Sequence, residues 1–401
     1  MNLDPRCDRL EEPPTYHQFL EQYLIPNRPV IIGPSLVSSW PAFRDWVNRD
    51  DGSIGSNSSI NWDFLVREYG ECEVTVADCS TRDFSDQKRE TKLLREVIDL
   101  WRSGQGDPLY VKDWHLARTL HGKPARPSPG QRPFYSTPDI FRDDWMNAYY
   151  SACTADDFRF VYVGARGTFT PLHRDVYTSY SWSTNVCGRK RWWLFPPEQT
   201  RLLVRKGGEE HAEVAYDVRR VDAGEFPEIR HARPIVVEQD EGETIFVENL
   251  TACISINHNW CNAVNLPSLY SSMCAKVVEV ERALDDVREL LAQNSTGDAD
   301  DWVREWIHIV QDVVEKDAGW NWSTFWLMVL HALRITSASD AAASSDLWVP
   351  APRELMPSID FIRERIKQCL DDFVGRDRQE VHLVPGLGDT VASIRLLLEA
   401  D

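Results

Sequence analysis

The chain has 401 residues, 42% of them hydrophobic and 27% charged, with a formal net charge of −19. That length can hold one large domain with appendages or two or three small ones, and the composition is ordinary for a globular protein. The charge argues against direct binding of nucleic acid, whose phosphates such a surface repels, and leaves open a basic protein or peptide partner.

The N-terminal stretch MNLDPRCDRLEEPP lacks the basic and apolar regions of a signal peptide. Tyr16 to Leu24 reads as a short helix broken by Pro26, and Pro29 to Gly33 as a buried strand. Asn48 to Ser59 and Lys123 to Pro133 read as loops, and residues 1–125 as a whole mix helix and strand. From 126 to 265 the hydrophobic period falls to two. Phe158 to Val163, Ser179 to Val186, Lys190 to Phe195, Glu243 to Val247 and Cys253 to Trp260 all read as strands. Short strands in one block without alternating helices predict an antiparallel barrel or jelly roll. From 266 to 401 the pattern is helical. Trp302, Trp306, Ile309 and Val313 form one stripe, widened by Val303, Ile307 and Val310 and capped by Asp298 or Asp300. Ile359, Ile362, Ile366, Cys369 and Phe373 form another, and Ala341 to Ser345 reads as a linker.

Nine cysteines, an odd number with no CxxC pair, match no zinc framework. The longest apolar run, Phe325 to Leu330, is too short to span a bilayer. Together these features set the expectation of free thiols in a cytoplasmic, or also nuclear, protein that does not bind membranes.

Chemistry concentrates in Thr170-Pro171-Leu172-His173-Arg174-Asp175. On a strand, residues two apart share a face, so His173 and Asp175 would present an imidazole and a carboxylate side by side. That is two-thirds of the facial triad that leaves one side of iron(II) open. Taken alone, a surface histidine beside an aspartate is the commoner meaning of such a pair. Lys190 opens a strand after the Cys187-Gly188-Arg189 turn. A lysine entering a barrel there needs an anion to offset its desolvation, and the distal carboxylate of 2-oxoglutarate is a natural partner. Thr170 can add a hydroxyl hydrogen bond. The competing meaning of Lys190 is a solvated lysine in a Gly-Arg-Lys-Arg turn.

The run TPLHRDVYTSYSWSTNVCGRKRWWLFPPEQ resembles the JmjC-domain family of iron(II)- and 2-oxoglutarate-dependent oxygenases, and within it the small hydroxylase branch called Jumonji domain-containing protein 4. LYVKDWHL, DDFRFVYVG and SINHNW are further points of likeness, which covers roughly residues 15–270. The resemblance implies a mainly β fold with α elements. That fold is a double-stranded β-helix, a cupin-like jelly roll, with N-terminal α/β elements and a C-terminal helical region. It implies iron ligands, which are also the catalytic residues, at His173 and Asp175, and 2-oxoglutarate residues at Thr170, Lys190 and Asn257. It further implies dioxygen as cosubstrate and, as activity, hydroxylation of a lysine carbon in a translation termination factor.

The same resemblance locates a departure. Family members follow the strand Gly242 to Val247 with a turn and a strand that carries the third ligand, a histidine. Here Val247 runs directly into Glu248-Asn249-Leu250, and no histidine occurs between Glu243 and Asn257. His258 is the nearest substitute, but strand alternation turns it away from Asn257 and Asn259 and so out of the pocket. His211 and His231 precede the strand, and His115, His308 and His331 read as packing or surface residues. Two other functions stay open: a non-catalytic barrel that binds a protein partner, and histone lysine demethylation by the same iron chemistry.

Overall fold

A computed structural model describes residues 7–49, 58–121, 133–207, 213–245, 252–294, 299–337, 351–376 and 380–399. In chain order its strands are β1 (Asp8–Leu10), β2 (Val30–Ile32), β3 (Val47–Asn48), β4 (Ser59–Ile60), β5 (Glu73–Asp83), β6 (Asp86–Leu93) and β7 (Leu109–Trp114). β8 (Arg159–Gly164), β9 (Tyr180–Cys187), β10 (Lys190–Leu194), β11 (Ile235–Gln239), β12 (Thr244–Ile245) and β13 (Cys253–Trp260) follow. The chain forms two compact units, both discontinuous in sequence. Residues 1–138, 159–174 and 181–258 make the first, and 139–158, 175–180 and 259–401 the second.

The first unit is the jelly roll. Its main sheet runs β1-β2-β12-β9-β13-β8-β7-β5-β6 and a second, smaller sheet pairs β10 with β11. β13 lies antiparallel to β8, with Ser255 opposite Tyr162 and Asn257 opposite Phe160. The strict alternation of both strands follows from a sheet with two different faces. One face carries Ile254, Ile256, Val161 and Val163, all buried. The other carries Ser255, Asn257 and Tyr162 toward the barrel interior. Gln239 of β11 joins the two sheets, its side-chain amide donating to the carbonyls of Ser183 at 2.9 Å and Glu243 at 2.7 Å. A layer of rings packs around Trp182, with Trp40 at 6.2 Å and His258 stacked at 4.1 Å between ring centres.

Most elements lie where periodicity puts them. The first helix, Tyr16–Phe19, is held by a Thr15–Gln18 capping box and widens into a π turn over Leu20–Leu24. The polar hairpin β5–β6, paired from Glu73↔Leu93 to Asp83↔Asp86, carries little hydrophobic alternation and has no counterpart in the sequence reading. The strand expected over Glu243 to Val247 is described only at Thr244–Ile245. Residues 246–251, which include the Val247–Glu248 join, lie outside the described residues. So do His211, the Ala341–Ser345 linker and the body of the Lys123–Pro133 loop.

The second unit is helical. Its longer helices are Trp145–Cys153, Leu266–Ala283, Asp285–Asn294, Ala299–Ala318, Trp322–Ser337, Ile359–Gly375 and Leu387–Glu399. The two predicted stripes face its core, where Trp306, Val310, Ile362, Ile366, Cys369 and Phe373 are buried. Trp322 and Trp326 stand 4.7 and 5.2 Å from the Phe373 ring. The first stripe's helix begins at Ala299, so Asp300 lies within its first turn rather than capping it, and Asp298 is outside the described residues. Ser358 caps the second, accepting from the Phe361 amide at 3.2 Å. No helix among the described residues is long and apolar enough to cross a membrane, and all nine cysteines are free.

Candidate functional site

Lys190 is the first residue of β10, and strand alternation decides its environment. Arg189 and Arg191 on either side point outward and pair with Glu238 and Asp240. Lys190 turns inward and is 2% exposed. Its ammonium crosses from the small sheet to the main one and donates to Ser255 Oγ, beneath the rings of Tyr162 at 5.9 Å and Trp192 at 6.0 Å. Among the described residues no carboxylate pairs with it. Burial therefore pulls its pKa down from 10.5 to about 8. The same burial pushes the thiol of Cys253, two residues before Ser255 on the same face, up to about 12. The turn lysine is thus a buried cation and not a solvated one.

Asn257 continues that face. It is half-buried, and its Oδ1 accepts from Ser183 Oγ at 2.9 Å. Ser255, Ser183 and Tyr162 are the polar neighbours that sequence reasoning missed. Period-two alternation backward from Asn257 reaches Ser255. Ser183 and Tyr162 come from other strands and needed the register. Thr170 is half-buried on the segment after β8 and makes no hydrogen bond to Lys190.

His173 and Asp175 depart from expectation: neither lies on a strand. The segment after Gly164 is irregular because Pro171 has no amide to donate and no described strand offers it a ladder. Leu172 donates instead to the Tyr216 carbonyl at 3.1 Å. His173 is exposed, with Nδ1 2.8 Å from the carbonyl of Pro171. Donation to that carbonyl puts the proton on Nδ1 and the lone pair on Nε2, the tautomer a metal-binding histidine adopts. Asp175 belongs to the helical unit and is half-buried.

His258 does lie on the strand face opposite Asn257, but that face is not exposed. The imidazole is fully buried, with Nε2 2.7 Å from the Tyr135 hydroxyl and its ring against Trp182. Burial, aided by Arg159, holds its pKa well below 6.5. It is a neutral core residue because the N-terminal elements cover the outer face of the sheet. His231 and His308 are exposed, and His115 packs on Phe160 at 4.9 Å.

The model of the cupin-like domain matches residues 16–260. The chain is 33% identical over 308 residues to the 2-oxoglutarate and iron-dependent oxygenase JMJD4 of Gallus gallus, which covers 72% of this chain and 66% of that protein. It is 31% identical over 350 residues to JMJD4 of Homo sapiens, covering 82% of this chain and 76% of the relative. It is also 35% identical over 303 residues to the arginine-specific demethylase JMJ20 of Arabidopsis thaliana, covering 69% and 61%. The chain thus spans a little under two thirds of the length of the chicken and Arabidopsis relatives. The matched domain and the likeness along most of the chain show that it belongs to the cupin-like JmjC family of 2-oxoglutarate and iron-dependent oxygenases.

Proposed function

We propose that the protein is an iron(II)- and 2-oxoglutarate-dependent oxygenase of protein side chains, and more finely a lysyl C-hydroxylase of a translation termination factor. Lys190 carries the reading. A fully buried ammonium with a hydroxyl on one side and, among the described residues, no counter-charge is a poor structural element and a good carboxylate receptor. The distal carboxylate of 2-oxoglutarate would take that place, bonded to Lys190 and Ser255, with Thr170 and Asn257 as further polar contacts. The substrate assignment rests on the likeness of the Thr170–Gln199 run to one branch of the family.

Iron(II) would be held by His173 Nε2 and the carboxylate of Asp175, and the donors fit the metal in kind. When bound with 2-oxoglutarate and dioxygen, iron supplies the C–H hydroxylation that releases succinate and carbon dioxide. Lys190 orients the cosubstrate, and the barrel wall excludes water from it. Two protein donors would hold a metal less firmly than three, so iron retention would depend more on the cosubstrate held by Lys190.

That shortfall favours a second reading from another class, a barrel that binds 2-oxoglutarate and a protein partner without turnover. Calorimetric titration of 2-oxoglutarate with an assay for succinate separates the two. Iron-dependent succinate formation that disappears in His173→Ala supports the oxygenase. Binding without succinate supports the binding barrel. A chain that binds no 2-oxoglutarate sinks both.

A further inference from the structure

The residues that follow Asp175 have an unfavourable backbone, and the helical unit they belong to holds them in it. Asp175 to Thr178 close a turn in which the Thr178 amide donates to the Asp175 carbonyl at 3.0 Å. Tyr177 sits at φ 60° and Thr178 at φ 52°. Left-handed backbone is uncommon for an aromatic residue and an outlier for a β-branched one, so such a pair persists only where its surroundings over-determine it.

Those surroundings come from three helices. The Tyr177 ring is buried, 4.0 Å from the ring of Trp320 and 5.4 Å from that of Phe158. Gly319 and Trp320 form the joint between the helices Ala299–Ala318 and Trp322–Ser337. A Cβ on Gly319, itself at φ 80°, would stand 2.6 Å from the Tyr177 hydroxyl, so this joint is glycine where the ring arrives. Thr178 Oγ1 donates to the Ser268 carbonyl at 3.2 Å, in the first turn of the helix Leu266–Ala283.

We infer that Tyr177 is a positioning residue for Asp175: the Trp320–Gly319 joint seats its ring and thereby sets the backbone from which the carboxylate projects. The inference rests on the assignment of Asp175 as a metal ligand. A ligand must be held to within fractions of an ångström, and only one residue separates Asp175 from Tyr177. Without the seat, the Phe158 contact and the bond from Thr178 to Ser268 are left to offset the cost of the left-handed pair, and the turn relaxes. The helical unit then contributes to metal binding through the backbone setting of Asp175.

Manganese(II) titrated into the full chain with 2-oxoglutarate, with free ion counted by electron paramagnetic resonance, tests this. Asp175→Ala should abolish binding. Tyr177→Leu should weaken it about ten- to a hundredfold, the range for supporting residues around a metal. Tyr177→Phe keeps the ring and should stay close to wild type. Trp320→Leu leaves Tyr177 in place, removes its seat and should repeat the weakening even if Tyr177→Leu folds poorly. Val310→Ala, in the same helical core, should lower the melting temperature with manganese affinity unchanged. Wild-type affinity in both Tyr177→Leu and Trp320→Leu, with Asp175→Ala inactive in binding, overturns the positioning role alone. Wild-type affinity in Asp175→Ala, or no manganese binding by the wild type, overturns the ligand assignment and this inference with it.

Discussion

Replacing Lys190 by methionine keeps the length of the side chain and removes its charge. The folded protein without cosubstrate holds that ammonium at a pKa of about 8 against 10.5 in the open chain. At about 1.4 kcal/mol per pH unit, the buried charge costs the cosubstrate-free protein on the order of 3 kcal/mol near pH 7. A depressed lysine gives a penalty that is full below pH 8 and disappears as pH rises toward 10.5, because over that window only the unfolded chain keeps the proton. Lys190→Met should therefore be more stable than wild type at pH 7, by up to about 3 kcal/mol less what the methionine loses beside Ser255. The advantage should shrink as pH is raised. With 2-oxoglutarate added the order reverses: wild type gains stability through binding and the variant does not. Urea unfolding at pH 7 and pH 10, with and without 2-oxoglutarate, reads all four states, and the difference between the proteins cancels other titrating groups. A variant less stable at both pH values, or one that 2-oxoglutarate still stabilises, would refute the view of Lys190 as a carboxylate receptor.

Other outcomes follow from single side chains. His258 is held neutral, so the folded state resists a proton that the unfolded chain accepts near pH 6.5; stability should fall as pH drops below that value, and His258→Phe should flatten the fall in melting temperature between pH 7 and 5. Trp182→Ala removes the ring stacked on His258 and should cost about 3–5 kcal/mol in urea unfolding. Native alkylation followed by mass spectrometry should label the exposed Cys153 and leave buried Cys253 and Cys261 unmodified, since burial raises both thiols and denies access. Asn257→Ala breaks a 2.9 Å bond to Ser183 and should lower 2-oxoglutarate affinity about five- to tenfold, the worth of roughly one hydrogen bond, with little change in melting temperature.

Sequence alone determined the elements whose chemistry repeats locally. The alternation of Cys253 to Trp260, the turn before Lys190, the buried Val30–Ile32 strand and the two helical stripes each reflect a periodicity that one sheet or one helix imposes on its own residues. The jelly roll and the inward turn of Lys190 were legible for that reason, whereas the want of a third histidine between Glu243 and Asn257 showed only against the family pattern. What lies on a strand's far side is set elsewhere in the chain. His258 is a core residue because Tyr135 and Trp182 arrive from other elements to cover it. The strand that His173 and Asp175 were expected to share depends on a neighbour to complete its ladder, and without one Pro171 and the left-handed turn at Tyr177 prevail. The seat of Tyr177 on Gly319 and Trp320 joins positions more than a hundred residues apart. Local pattern encodes which face of an element is apolar; only tertiary packing decides what meets that face, and therefore which charges stay buried and which turns stay strained.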